Sequence, residues 1–339
     1  MILVTGGTGL VGSHLLYELL SHGKSVRAIK RASSSLKQTE LVFKEKCTGD
    51  YRELFYKIEW VIADINEISE LNEAMEGIDE IYHCAALVSF KRSDNNALIK
   101  TNIEATSTLV NLAIANRIQK FAYVSSVAAL GRSEQGLINE YMAPEIPSFS
   151  SFYSKTKYYA EMEVWRGISE GLNAVIINPG VILGIGDYSK GSLKIFDTVR
   201  KGLPFYPPGS NGYIDASDVA KIIVLLMERD ACFGKRYCIV TSSISYQNLF
   251  QNIASHLGVK APTQAAPKFL GIMYYFYASL SALIQGRASE ITLDLVNTSY
   301  QNYNYDHSLI LSTLDYNFIP IEESIKNSCK HFLSLGMYN

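Results

Sequence analysis

The feature that most constrains this chain is the glycine-rich segment VTGGTGLVG at residues 4–12, whose first residue ends a short apolar run at residues 2–4. After it, leucines and valines recur at helical spacing, so the sequence predicts a strand, a tight turn and a helix. Such a turn directs backbone N–H groups and the positive end of the helix dipole toward one point. The glycines fit two dinucleotide spacings, Gly7-x-Gly9-x-x-Gly12 and Gly6-x-x-Gly9-x-x-Gly12. We therefore expect a pyrophosphate site at this turn.

Strand-like and helix-like segments alternate through residues 1–180 and then give way to glycine- and proline-rich stretches. This alternation predicts an α/β fold with a doubly wound parallel sheet. We expect a cofactor domain at 1–180 and a smaller, mixed substrate-binding lobe at 181–339, with residues 213–245 returning to the first domain. The strand-like runs lie at 2–4, 25–29, 58–62, 80–84, 121–125 and 174–178, and the longest helical patterns at 95–116 and 153–169.

The charge and cysteine content argue against several functional classes. With 31 Lys and Arg against 33 Asp and Glu, the chain has no basic footprint for nucleic acid or an anionic membrane. Its 5 cysteines form no CxxC pattern and its 6 histidines form no HxH or HExxH pattern, so we expect neither a disulfide framework nor a metal site. No signal-peptide pattern precedes the first strand, and we expect a cytoplasmic protein.

An uncharged, aromatic-rich segment runs from Phe269 to Ile284. It is shorter than the roughly 20 apolar residues of a membrane-spanning helix, and it contains Ser279 and Ser281. We expect a helix packed against the core or over a pocket, with peripheral membrane contact as the alternative.

The end of the second strand bears on the choice of cofactor. An acidic residue there would bond the ribose 2′-hydroxyl of NAD, but residues 26–33 contain none. Lys30 and Arg31 are instead placed to pair with a 2′-phosphate, which favours NADP(H). NAD(H) stays possible, because an arginine can also stack on adenine without selecting a phosphate.

Two further patterns carry acid–base chemistry. Tyr153 and Lys157 stand four apart and share a helix face, where the ammonium would lower the pKa of the phenol. Ser125 and Ser126 end the fifth strand, where a hydroxyl projects into the ligand crevice and can hold a carbonyl oxygen. A capping or turn serine is the alternative at this position.

Together these residues resemble the extended short-chain dehydrogenase/reductase superfamily, nearest to dihydroflavonol reductases, cinnamoyl-CoA reductases and 3β-hydroxysteroid dehydrogenases. The resemblance implies a Rossmann fold and catalytic roles for Ser126, Tyr153, Lys157 and Asn102. Leu130 departs from the tyrosine usual in sugar-nucleotide enzymes, and residues 127–128 lack the acidic pair of dehydratases. The cofactor contacts that the resemblance implies are Thr5, Gly6, Gly9, Leu10, Val11, Gly12, Arg31, Asp64, Ile65, Ala85, Ala86, Tyr153, Lys157, Pro179 and Val181.

The leading hypothesis is an NADP(H)-dependent carbonyl reductase or alcohol dehydrogenase acting on a small molecule. In it Tyr153 donates the proton, Ser126 steadies the oxygen, and Asn102 helps to relay protons. An NAD-dependent nucleotide-sugar epimerase and a non-catalytic NADP(H)-binding regulator are the alternatives. The family also suggests a homodimer formed through the two long helices, whose apolar residues could equally pack on the sheet; these residues are Ala105, Leu109, Leu112, Ala113, Ala160 and Val164.

Overall fold

The computed structural model describes residues 1–131, 137–142, 151–284 and 292–336. All six predicted strands occur, each within one residue of its expected ends. The strands are β1 (Ile2–Thr5), β2 (Val26–Lys30), β3 (Glu59–Ile62), β4 (Glu80–His83), β5 (Lys120–Val124), β6 (Ala174–Pro179), β7 (Val181–Leu183), β8 (Phe205–Tyr206), β9 (Ser210–Asp215), β10 (Lys235–Ile239), β11 (Ser242–Ser245) and β12 (Gln264–Ala265).

Seven of these strands form one parallel sheet in the order β10-β6-β5-β4-β1-β2-β3. The chain builds outward from β1 to β3 and then crosses to β4 on the other side of β1. That reversal is the topological switch point, where open α/β sheets bind ligands beyond the carboxyl ends of their strands. The predicted doubly wound sheet is confirmed, and the glycine-rich turn after β1 lies at its switch point.

Helices cover both faces of this sheet. One face packs the helices that begin at Leu10 and Ala216 over the apolar side chains of the central strands, and the other packs those that begin at Ile68, Ala105 and Phe152. The helices are α1 (Leu10–Ser21), α2 (Lys37–Lys46), α3 (Arg52–Phe55), α4 (Ile68–Ala74), α5 (Asn95–Leu98), α6 (Ala105–Ala115), α7 (Phe152–Ser169), α8 (Lys194–Arg200), α9 (Ala216–Met227), α10 (Tyr246–Leu257), α11 (Lys268–Ile284), α12 (Leu293–Ser299), α13 (Ser308–Leu314) and α14 (Ile321–Ser334).

The helix predicted at 95–116 is not a single α-helix. A π-helical segment at Ile99–Glu104 joins α5 to α6. Most of the apolar residues considered for a dimer contact are instead buried in the core beneath the sheet. These are Ala105, Leu109, Ala113, Ala160 and Val164. Of the two roles left open for these residues, packing on the sheet is the one that the structure shows, and the homodimer stays a prediction.

The later part of the chain has a core of its own. β7, β9 and β11 form a small mixed sheet, and β8 pairs with β12. α8, α10 and α14 pack together in a separate apolar cluster. Two later elements belong instead to the seven-stranded sheet and its covering helices, since β10 pairs with β6 and α9 packs against α1. The division at residue 180 itself stays a prediction.

The aromatic segment forms α11, whose outer side chains are open to solvent. Phe269, Met273, Tyr274, Phe276 and Tyr277 are each about 60% exposed or more, and the opposite side packs on α12. The helix is therefore less covered than the sequence predicted. None of the helices in the described ranges is long and apolar enough to cross a membrane.

The close packing of α1 on the turn after β1 explains why two positions of the glycine-rich segment must be glycine. Gly6 has φ of +71°, a left-handed conformation that side chains rarely adopt. A Cβ atom on Gly12 would overlap the carbonyl oxygen of Gly6 and lie 2.8 Å from the Cα of Gly7. Helix α1 can reach the end of β1 only because both positions lack a side chain.

Replacing Gly12 with alanine tests this packing. Because the new methyl group meets backbone rather than a flexible side chain, we expect Gly12→Ala to lower the free energy of unfolding by about 2 kcal/mol or more in urea denaturation. Gly49→Ala is the control, since a Cβ there has nothing within 4 Å. Equal stability of the two variants would contradict the account.

Candidate active site

The turn after β1 offers an anion site built from backbone. Gly9 precedes α1 and is exposed, and no side chain caps the helix or places an acidic group in its first turn. The first backbone N–H groups of the helix, which include those of Leu10 and Val11, therefore meet no competing negative charge. This arrangement suits the pyrophosphate of a dinucleotide.

The neighbouring strands end in the other predicted cofactor residues. Arg31 directly follows β2 and is exposed, and no described residue pairs with its guanidinium. Asp64 lies just beyond β3, where its Oδ1 accepts bonds from the backbone and side-chain nitrogens of Asn66. Ile65 beside it is buried. Since β2 and β3 are adjacent, these residues lie along one edge next to the glycine turn.

Buried hydrogen bonds join β1 to the chain after β4. The Thr5 hydroxyl lies 2.7 Å from Nδ1 of His83 and accepts a bond from the Ala85 backbone nitrogen. Burial and the nearby Lys157 lower the pKa of His83 to about 3, so this imidazole is neutral. The role of His83 is therefore structural, and it holds the turn and the partly exposed Ala85 together.

Ser126 and Tyr153 meet at the carboxyl ends of β5 and β6. The Ser126 hydroxyl accepts a bond from the Ala128 backbone nitrogen and lies close enough to the Tyr153 hydroxyl to lower the pKa of that phenol. Ser126 thus has the capping role that was the alternative for it, and its role toward a substrate oxygen stays a prediction. The Phe90 ring lies edge-on to Tyr153, with 5.9 Å between centroids.

Lys157 is buried and bonded within the site. Its Nζ donates to the Tyr123 hydroxyl at 2.8 Å and to the Val124 carbonyl at 2.9 Å. Burial lowers the pKa of Lys157 to about 7, although the Glu161 carboxylate opposes this shift. The amine therefore changes charge close to neutral pH.

One electrostatic expectation is wrong for this structure. The spacing of Tyr153 and Lys157 predicted a lowered pKa for the phenol, but burial raises the pKa of Tyr153 to about 12. The nearby Ser126 hydroxyl opposes the rise without cancelling it. The physical reason is that desolvation of the phenolate outweighs its stabilisation, while the Lys157 amine is directed to Tyr123.

Asn102 lies in the π-helical segment and is 1% exposed. Its amide pairs with both backbone groups of Leu87, at 2.8 and 3.0 Å, and donates to the Thr156 hydroxyl at 3.1 Å. These bonds fix the chain after β4 against α7. The proton-relay role of Asn102 stays a prediction, because the amide of this side chain is used in holding that chain.

Sequence reasoning missed a buried polar network behind these residues. Asn178, at the end of β6, donates to the Ser126 carbonyl at 3.0 Å and to the Glu161 carboxylate at 2.8 Å. Glu161 stands four residues after Lys157, and that spacing was the available signal. Pro179 is buried and Val181 is half-buried just beyond Asn178.

The residues present fit a nicotinamide dinucleotide. The glycine turn would hold the pyrophosphate, and the edge at Arg31, Asp64 and Ile65 would hold the adenosine half. Ala85 and Ala86 follow β4, which flanks the switch point, while Pro179 ends β6 and Val181 begins β7. Such a cofactor would bring hydride chemistry to the Ser126–Tyr153 pair.

Comparison with known proteins agrees with this fit. The profile of the NAD dependent epimerase/dehydratase family matches residues 2–239. A Synechocystis sp. protein named "Putative dihydroflavonol 4-reductase" is 28% identical over 98% of this chain and 94% of its own length. Tetraketide alpha-pyrone reductase 2 from Arabidopsis thaliana is 26% identical over 72% of this chain and 78% of its own.

A solved structure gives the same fold. UDP-glucose 4-epimerase from Thermus thermophilus, determined in complex with NAD, has a TM-score of 0.71 and covers 98% of both chains at 19% identity. At that identity the likeness speaks for the fold alone. Family membership rests instead on the profile match across most of the chain. The chain therefore belongs to the NAD-dependent epimerase/dehydratase family, whose members bind a nicotinamide dinucleotide, and it is an oxidoreductase of the short-chain dehydrogenase/reductase type.

Proposed function

We propose that this protein reduces a ketone or aldehyde with NADPH, or oxidises the corresponding alcohol with NADP⁺. The observation that carries the proposal is that the Tyr153 and Ser126 hydroxyls lie close together at the carboxyl edge of the sheet, next to the buried amine of Lys157. Two relatives named as reductases support it. A reduced nicotinamide, when bound, supplies the hydride for the carbonyl carbon.

Tyr153 provides the proton. With its pKa raised to about 12, the phenol is protonated at neutral pH and is ready to act as an acid toward the carbonyl oxygen. Ser126 donates a hydrogen bond to the same oxygen and stabilises the negative charge that develops there. In the oxidative direction the high pKa is a handicap, because the phenol must first lose its proton.

Lys157 supplies positive charge beneath this pair. Its Nζ is held by Tyr123 and Val124, so the ammonium is fixed rather than solvated. A fixed ammonium stabilises the phenolate that Tyr153 becomes after proton transfer. We expect the same group to bond the ribose next to the nicotinamide when the cofactor is present.

Exposed apolar side chains beside Tyr153 support a substrate with an apolar group. Phe90, which contacts the Tyr153 ring, is 36% exposed, and Val88 on the same loop is 57% exposed. Large apolar side chains left open next to reacting groups are typical of a binding surface. We propose that they contact the part of the substrate flanking its carbonyl.

Cofactor preference rests on Arg31. Its free guanidinium follows β2, the position at which dinucleotide-binding folds contact the 2′ substituent of the adenosine ribose. No acidic residue stands between 26 and 33 to repel a phosphate. The planar, permanently charged guanidinium suits a phosphate dianion, so NADP(H) is the proposed cofactor.

Tyr153→Phe tests the acid. Removing the hydroxyl should lower kcat for carbonyl reduction by about 100-fold to 10,000-fold. The dissociation constant of NADPH should stay within about twofold, because the phenol acts on the substrate oxygen. Tyr159→Phe, on the same helix, is the control. Normal turnover by the Tyr153 variant would end the proposal.

Arg31→Ala tests cofactor choice. Loss of a charge-assisted contact should weaken NADPH binding by about 10-fold to 100-fold, while NADH binding changes little. Binding is measured by nucleotide fluorescence, with the exposed Arg52→Ala as control. An equal effect of Arg31→Ala on both nucleotides would show that the arginine does not select the phosphate.

The pH dependence of reduction tests Lys157. Its pKa lies near 7, so the ammonium is present below neutral pH and is lost as pH rises. Because Tyr153 stays protonated throughout this range, kcat for reduction should fall above about pH 7 with a single inflection. A rate that is flat up to about pH 9 would contradict the role of the ammonium.

A further inference from the structure

Glu161 is a carboxylate with no solvent exposure, one helical turn beyond Lys157 on α7. Four side-chain donors surround it: Ser125 Oγ at 2.6 Å, Asn178 Nδ2 at 2.8 Å, Arg236 Nη1 at 2.8 Å and Trp165 Nε1 at 3.3 Å. Burying a charge is costly unless it is paired and hydrogen-bonded. This set of donors, which includes the Arg236 guanidinium, compensates for the burial of the carboxylate.

Arg236 ties the same carboxylate to the segment between the two catalytic hydroxyls. It lies on β10 with its side chain 11% exposed. Besides Glu161 it donates to the backbone carbonyls of Glu140 and Met142. The Met142 carbonyl also accepts a bond from the Gly131 nitrogen, five residues after Ser126. One guanidinium thus connects α7 to the chain that leads from Ser126 toward Tyr153.

Asn178 gives the ion pair a second connection to the site. Its amide nitrogen bridges the Glu161 carboxylate and the Ser126 carbonyl. Ser125, which also bonds to Glu161, is the neighbour of Ser126 in the chain. The backbone at Ser126 is therefore held from two directions by groups that depend on the Glu161 charge.

We propose that Glu161 and Arg236 are positioning residues for the reaction: their buried ion pair fixes the Ser126 backbone and sets the charge of Lys157. Neither side chain contacts the reacting hydroxyls directly, so both act through other residues. The activity part of this inference rests on the proposed function. The part concerning the charge of Lys157 does not.

The other titratable groups that face Lys157 are neutral at neutral pH. His83 has its pKa lowered to about 3 and Cys84 has its pKa raised to about 12, both through burial. Burial also raises the pKa of Tyr123 far above its ordinary value, and that of Tyr153 to about 12. These groups come from the end of β4 and the residue after it, from β5 and from α7.

Glu161 is consequently the nearby negative charge that keeps Lys157 protonated, and Arg236 lies behind it with the opposite sign. Without the carboxylate charge, Lys157 is still buried and the unpaired Arg236 guanidinium repels its ammonium form. The pKa of Lys157 should therefore fall. Without the guanidinium, the Glu161 carboxylate has no other cation beside it and attracts the Lys157 ammonium more strongly. The pKa of Lys157 should therefore rise. A merely structural role predicts something else, because loosened packing hydrates Lys157 and raises its pKa in both variants.

The experiment is an NMR pH titration of the full-length protein carrying lysine labelled with ¹³C at Cε, with the Lys157 signal assigned by its loss in Lys157→Met. The wild-type midpoint should lie near 7. Glu161→Gln should lower the midpoint, and Arg236→Met should raise it, each by about one unit. Shifts of the same sign, or no shift in Glu161→Gln, would overturn the proposal.

Matched variants separate charge from packing. Glu163→Gln changes a carboxylate on the same helix that bonds to Ser107 and Arg166, and it should leave the midpoint within about 0.3 unit. If Glu161→Gln does not fold, Arg236→Lys and Arg236→Met carry the test. The lysine variant keeps the charge and should keep the wild-type midpoint. Equal shifts in these two variants would overturn the proposal.

Turnover gives the second readout. Glu161→Gln should lower kcat for reduction by about 10-fold or more at pH 7 with KM nearly unchanged, and Arg236→Lys should retain more activity than Arg236→Met. An unchanged kcat in Glu161→Gln would overturn the positioning role. The titration needs neither substrate nor cofactor. Its result can therefore be interpreted even if the proposed function is wrong.

Discussion

Close contact between the N-terminus of α1 and the end of β1 is the constraint on which the rest of the structure depends. The contact is possible because Gly6 adopts a positive φ and Gly12 has no Cβ to meet the Gly6 carbonyl. It places the first free N–H groups of the helix at the switch point of the sheet. The parallel order of the strands then brings Arg31, Ser126 and Tyr153 to the same edge, around whatever binds at that turn.

Burial decides the charge state of the two side chains proposed to be catalytic, Tyr153 and Lys157. It raises the pKa of Tyr153 and lowers that of Lys157, so both groups are held closer to their neutral forms than in water. A neutral phenol is the form that can donate a proton, which matches reduction better than oxidation. The Lys157 ammonium needs a negative neighbour to persist in such surroundings, and Glu161 is that neighbour. In the proposed reaction, the glycine-rich turn would thus hold the cofactor that supplies the hydride, while the buried side chains after β5 and on α7 would handle the proton.

The sequence predicted what depends on local spacing and did not predict what depends on burial or distant contacts. The strands, the first turn and the shared face of Tyr153 and Lys157 follow from short patterns of apolar and special residues. The sign of the Tyr153 pKa shift does not, because spacing cannot show how far the phenol is desolvated. The Arg236–Glu161 pair joins residues 75 apart in the chain, so no local pattern indicates it. The π-helical segment at 99–104 was not predicted either, because its apolar spacing does not differ enough from that of an ordinary α-helix.

The measurement that tests the central claim most directly is the identity and lability of the nucleotide in freshly purified protein. The protein would be denatured, any released nucleotide identified by mass spectrometry, and the emptied protein titrated with NADPH and NADH. The account predicts an exchangeable site that prefers NADPH, because a reductase must release its oxidised cofactor in each cycle. Stoichiometric NAD that survives purification and does not exchange would contradict it, since a cofactor retained through the cycle belongs to an epimerase.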